Sequence, residues 1–201
     1  MNNICYNHFW KEGSIMQVKI GISNRHVHLT EEDYKTLFNK ENLEKAKDLV
    51  QTGEFASTDK VTIKTPKSEI SGVRVLGPFR AYSQVEISKT DSYVLGINPP
   101  VRDSGDIADS AEVTIVGPSG EVTKKCCILA TRHIHINKED RQKYGLTDKK
   151  YVSVKIGSEK SSIIENVSIK ETKLGVFELH LDTDDANACL LKNGDMATII
   201  I

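Results

Sequence analysis

With 201 residues, the chain is long enough for one large domain or two small ones with buried cores. Its 27 Lys and Arg nearly balance 28 Asp and Glu, so no overall field recruits nucleic acid or an anionic membrane, and any anionic ligand must be gripped locally. With no apolar run of membrane-spanning length and no secretory signal at its start, the chain reads as a soluble cytoplasmic protein, and four cysteines without Cys-x-x-Cys spacing read as buried thiols.

Residues 1–16 are polar with scattered aromatics (Tyr6, Phe9, Trp10) and read as an N-terminal tail, either disordered or a short targeting helix of weak amphipathicity. From Gln17 the alternation of Val18, Ile20 and Ile22 predicts a strand, which runs into Asn24-Arg25-His26-Val27-His28-Leu29-Thr30. Thr30 is an N-cap candidate with Asp33 completing a capping box, and a helix is expected over about 31–38, with Leu29 stapled onto Tyr34. Residues 39–58 read as a β excursion turning at Thr52-Gly53. Between Lys60 and Ile128, short strands recur at 61–64, 72–76, 83–88, 111–116 and 121–129, separated by Gly and Pro turns, a spacing that predicts a closed or nearly closed antiparallel barrel. At Thr131-Arg132-His133-Ile134-His135-Ile136-Asn137 the earlier motif returns, again followed by an acidic helix start, about 138–144, stopped at Gly145. Strands resume at 151–156, 163–170 and 175–181. The last delivers His180, after which Asp182 or Thr183 caps a helix expected over 184–192.

Two Arg-His-x-His copies hold four of the six histidines. Residues i and i+2 of a strand share one face, about 6.5–7 Å apart, so two imidazoles can converge on one ion while Val27 and Ile134 face a core. Together with His180 this predicts metal binding. Imidazole ligands without suitably spaced thiols favour zinc, with cobalt, iron or manganese as alternatives. The run Arg80 to Ile87 places Arg80, Tyr82, Gln84 and Glu86 on one face, so Glu86 is a candidate carboxylate ligand. Asn98 to Asp106, with two prolines and Ser104-Gly105, makes a rigid loop with free N–H groups suited to an anion pocket. No Gly-rich nucleotide loop and no Gly-x-Ser-x-Gly elbow is present.

The segments Gly21 to Leu29, Val73 to Pro78, Gln84 to Ser88, Pro100 to Asp106, Arg132 to His135 and His180 to Asp184 together resemble the PduL-type phosphate acyltransferases, the phosphotransacylases of bacterial microcompartments; the resemblance spans about residues 17–195. It implies a mainly β fold of two similar small β-barrels capped by short helices, with intertwined connectivity and the active site between them. Residues 17–24 and 131–201 would form barrel one, and 25–130 barrel two with a small excursion at about 39–58. It also implies two zinc ions, one on His26, His28 and Glu86, the other on His133, His135 and His180. Arg80, Gln84 and Ser104 would form the phosphate pocket, and Ser23, Lys47, Arg74, Leu76 and Asn187 would meet CoA. The implied reaction converts a short-chain acyl-CoA, acetyl- or propanoyl-CoA, plus phosphate to acyl phosphate plus CoA. Expected partners are acyl-CoA and phosphate, a second copy in a homodimer, and microcompartment shell or core proteins of propanediol degradation, with no nucleic acid and no membrane. Competing readings are a dinuclear metal-dependent hydrolase and a non-enzymatic metal-binding module.

Overall fold

A computed structural model describes residues 16–201; the tail expected at 1–16 therefore lies, except for Met16, outside the described residues. The chain divides into two halves that repeat one order of elements, the first carrying two additional short strands, Lys45–Asp48 and Val101–Arg102. The first comprises β1 (Gln17–Ser23), β2 (His26–His28), α1 (Glu31–Phe38), β3 (Lys45–Asp48), β4 (Phe55–Lys64), β5 (Glu69–Gly77), β6 (Gln84–Glu86), α2 (Lys89–Leu95), β7 (Val101–Arg102) and β8 (Ala111–Val116). The second runs through β9 (Glu121–Ala130), β10 (His133–Ile136), α3 (Lys138–Lys143), β11 (Tyr151–Ile156), β12 (Ser162–Glu171), β13 (Glu178–Asp182), α4 (Thr183–Ala188) and β14 (Met196–Ile200).

Each half donates its first strand to the other. One closed barrel is ordered β1-β13-β10-β12-β11-β14, and the other closes as β4-β5-β2-β6-β9-β8 because β8 pairs with both β4 and β9. The fold is therefore two six-stranded barrels with short capping helices, and the chain crosses between them twice, at Asn24-Arg25 and at Thr131-Arg132. Both crossings lead directly into a His-x-His strand.

The antiparallel expectation needs correction. In each barrel the donated strand runs parallel to a neighbour (β1 with β13, β9 with β6), and so does the His-x-His strand (β2 with β5, β10 with β12). A barrel built of hairpins alone would be antiparallel throughout. Here β2 and β10 reach their parallel partners through a helix and a hairpin, the kind of long connection that parallel pairing demands.

The helices begin where capping chemistry places them. Thr30, Ser88, Asn137 and Asp182 each accept a hydrogen bond from the backbone N–H three residues on. At Thr30 the capping box is only half formed, because the Asp33 carboxylate is taken by Lys124 Nζ at 2.6 Å and by the Ser83 hydroxyl. The helix expected over 184–192 stops at Ala188, since Leu190 adopts a φ of 56° and Leu191 N–H turns back to the Ala186 carbonyl at 2.9 Å. The strand expected from 175 begins only at Glu178. Upstream, the Gln51 side-chain amide pairs with both backbone groups of Val176 at 3.1 Å, in place of a neighbouring strand.

Each barrel has its own core: Val27, Val61, Val75, Val85 and Ile115 are among the residues filling one, and Ile20, Ile134, Val154, Leu179 and Ile199 among those filling the other. Cys126 and Cys127 belong to the first and Cys189 to the second, all as free thiols. Burial pushes the Cys126 thiol up to about 12 and that of Cys127 higher still. Neither should be alkylated by iodoacetamide at pH 8 in the native protein, while both should react after denaturation; native labelling by peptide mass mapping would contradict this core.

Candidate active site

Because Val27 and Ile134 point into the two cores, the histidines flanking them point outward, and the outward faces of the two barrels meet in one cleft. His26, Glu86, His133 and His180 line it together with Ser23 and Thr131, which flank the two crossings. Register explains the composition of each face. In one barrel His26 lies between Arg74 and Glu86, and His28 between Leu76 and Gln84. In the other, His133 lies between Ser168 and His180, and His135 between Lys170 and Glu178. The halves thus match position by position, with Glu86 answering His180, Gln84 answering Glu178, and Leu76 answering Lys170.

The ligand atoms of His26, His28 and Glu86 all lie within 4.8 Å of one another, and so do those of His133, His135 and His180. Both expected metal-ligand sets are therefore gathered. Orientation is set from behind: His26 Nδ1–H donates to the Asn24 carbonyl and His133 Nδ1–H to the Thr131 carbonyl, both at 2.8 Å, which leaves each Nε2 lone pair facing the cluster. His133 Nε2 and His135 Nε2 stand 3.1 Å apart. The buried Nδ1 atoms of His28 and His135 have no partner among the described residues, an arrangement that buried polar groups rarely tolerate without a bound species. This donor set fits zinc or a neighbouring divalent transition metal.

The electrostatics agree with that fit. Burial, then the neighbouring His180, lowers His133 to about 4, and burial with His133 and His180 lowers His135 to about 2, so both rings present free lone pairs at neutral pH. Burial alone would raise the Glu86 carboxyl, but His26 beside it holds that carboxyl well below the usual range. His26 is the converse case: burial lowers it, and Glu86 more than offsets the effect.

The Arg that precedes each His-x-His is held by an aspartate. Arg25 Nε meets Asp91 at 2.9 Å, and Arg132 meets both Asp185 oxygens at 2.7 Å. Each Asp sits in the first turn of a helix, α2 or α4, so these pairs tie the crossing segment to the cap of its own His-bearing barrel face.

Arg80, Gln84 and Ser104 form one network. Arg80 Nη1 donates to Ser104 Oγ at 3.2 Å and Nη2 to Glu54 at 3.2 Å, while Gln84 Nε2 donates to Ser104 Oγ at 3.0 Å and to Glu86. Gly105 N–H donates to Gln84 Oε1 at 2.8 Å from a backbone of φ +108°, which only glycine adopts freely. The 98–106 loop is thereby fastened to the His26 cluster.

The five residues expected at CoA are less closely assembled. Ser23 lines the cleft, and Leu76 and Arg74 lie beside the histidines in register, although Arg74 Nη1 is engaged by the Ser57 and Thr58 carbonyls. Lys47 on β3 and Asn187 on α4 are exposed, and no side-chain hydrogen bond among the described residues draws either to the clusters.

Three charged residues beside the clusters and the Arg80 network escape the sequence reading. Glu178 accepts from His180 Nε2 at 2.8 Å, and Gly21 opposite His180 leaves it room, since a Cβ there would lie 3.0 Å from the Glu178 carboxyl carbon. Glu178 stands two residues before His180 as Gln84 does before Glu86, a signal present in the repeat. Glu54 and Lys170 carry no such local signal.

The profile of the phosphate propanoyltransferase family matches residues 19–192. The chain is 46% identical over 184 residues to a phosphate propanoyltransferase of Thermotoga maritima, covering 90% of this chain and 88% of that one. It is also 43% identical over 185 residues to one of Rhodopseudomonas palustris, covering 91% and 82%, and 42% identical over 186 residues to one of Lachnoclostridium phytofermentans, covering 91% and 87%.

Proposed function

From the premise that the chain belongs to the phosphate propanoyltransferase family and is an acyltransferase, we propose that the cleft between the barrels exchanges the CoA of a short-chain acyl-CoA for inorganic phosphate. A phosphate oxygen attacks the thioester carbonyl carbon, the C–O bond of the acyl phosphate forms, and the C–S bond breaks to release CoA; the reverse uses the same groups. The single observation that carries this reading is the Arg80–Ser104–Gln84 network fastened to Glu86, an anion grip built directly against a ligand cluster.

His26, His28 and Glu86 hold one metal ion, and His133, His135 and His180 the other, with zinc favoured by the donor set. When bound, such ions supply Lewis-acid charge that screens phosphate and polarises the carbonyl. Arg80 meets phosphate oxygens two at a time through its planar fork. Ser104 and the Gln84 amide fix the fork's orientation, so little reorganisation is left for the reaction itself. Ser23, Arg74 and Leu76 meet the CoA side of the thioester, with Lys47 and Asn187 reaching it from the rim.

Acetyl- and propanoyl-CoA differ by one methylene, worth about 1–3 kcal/mol in an apolar pocket, so both are expected substrates with a modest preference. Homodimerisation, packaging in a microcompartment and a place in propanediol degradation are supported by the resemblance to the PduL-type enzymes. Free thiol release from acetyl-, propanoyl- and butanoyl-CoA, with and without phosphate, tests the reading. The expected result is release that depends on phosphate; release of equal rate without it would instead identify a hydrolase, and no release under either condition a binding module.

A further inference from the structure

The two barrel faces match position by position, and at one position beside the histidines an apolar residue in one half answers a charged one in the other. Where the first half carries Leu76 beside His28, the second carries Lys170 beside His135. Ile169 packs against the core of its barrel, so Lys170, the next residue along β12, projects from the outer face with His133 and His135. It is half-buried. Its electrostatic neighbours, Glu86, Arg80, Glu54 and Asp103, all come from the facing barrel.

The carboxylates of Glu54, Glu86 and Glu178 already have charged or imidazole partners, and Asp103 accepts from the Thr131 hydroxyl. Glu54 holds Arg80 at 3.2 Å, Glu86 faces His26 at 3.5 Å, and Glu178 meets His180 at 2.8 Å. Lys170 makes no ion pair and no side-chain hydrogen bond among the described residues. Burial lowers its pKa, a cost that a structural role would remove by pairing it or by placing leucine there, as the other half does. An ammonium without an ion pair, set against the barrel that carries the anion grip, is free to take an anion.

We propose that Lys170 is a second phosphate-binding residue, closing from one barrel the pocket that Arg80, Ser104 and Gln84 form from the other. The phosphate, and in reverse the phosphoryl group of the acyl phosphate, is then held by a fork on one side and a point charge on the other. The proposal rests on the phosphate acyltransferase reading. The same ammonium could instead meet a phosphate of CoA, and the two anions are separated by which KM moves.

The test uses the full chain with its metals. Lys170→Met should raise the KM for phosphate by about 10- to 100-fold, the range for losing one charged hydrogen bond, and leave the KM for acyl-CoA within about twofold. Lys170→Arg should recover most of the loss. Metal content per chain should be unchanged in both variants, and millimolar phosphate should raise the Tm of the native protein but raise it less in Lys170→Met. A phosphate KM unchanged in Lys170→Met overturns the proposal. A rise confined to the acyl-CoA KM assigns Lys170 to CoA and overturns it equally, and loss of metal in both variants makes Lys170 a support of the ligands and does the same. If the native protein itself releases CoA without phosphate, it is the acyltransferase reading that fails.

Discussion

Arg80→Lys is expected to lower kcat/KM for phosphate by about 100-fold, roughly 2.7 kcal/mol of transition-state stabilisation, with the KM for acyl-CoA nearly unchanged. The charge is kept in this variant, so the effect isolates geometry. Arg80 reaches Ser104 with one terminal nitrogen and Glu54 with the other, and the two ends are held in one plane. A lysine at the same position has a single ammonium on a flexible stem and cannot satisfy Ser104 and Glu54 while meeting two phosphate oxygens. Steady-state kinetics with phosphate varied at saturating acyl-CoA reads the result. Unchanged phosphate kinetics would remove Arg80 from the anion grip. Arg80→Ala should be worse still, because Glu54 is then left part-buried without its cation.

His180→Ala is expected to remove about one equivalent of bound metal per chain and to reduce turnover by more than the roughly 10- to 100-fold typical of losing a group behind the ligands. In each cluster two donors come from alternate positions of one strand and the third from a neighbouring strand, so removing the third leaves only two imidazole donors. Glu86→Ala should do the same for the other cluster through the same register position. Metal analysis of the purified variants distinguishes the outcomes: each should lose one equivalent and keep the other. Retention of the full native metal content by both would mean that these clusters are not the metal sites.

Most of the ligand chemistry is legible in the sequence because it is local. His-x-His on a strand, its capping residue and the helix that follows need only a dozen neighbouring residues to be recognised, and the second copy identifies the symmetry. The boundaries that follow from tertiary contacts are not legible in that way. The helix Lys89–Leu95 goes unread even though Ser88 and Asp91 form a full capping box, since its buried residues are Asp91, Ser92 and Leu95 while Tyr93 and Val94 face outward, the reverse of an amphipathic pattern. The antiparallel expectation fails because strand direction is decided by the exchange of β1 and β9 between halves and by the long connections from β2 to β5 and from β10 to β12, which no short stretch encodes.

Within the cleft the same division holds. Glu86 and His180 can be found from strand alternation, and Glu178 from its spacing to His180. Glu54 and Gln51 lie on the hairpin between β3 and β4 and reach Arg80, 26 residues away, and Val176, 125 residues away. Lys170 sits on an ordinary amphipathic strand, where a lysine reads as a solvated surface residue until the other barrel is set against it.

Trapping the acyl product as its hydroxamate while counting the thiol released from propanoyl-CoA and phosphate tests the central claim most directly. Phosphate acyl transfer predicts one acyl phosphate formed for each CoA released, with both products absent when phosphate is omitted. CoA released without a matching acyl phosphate, at a rate indifferent to phosphate, would contradict it.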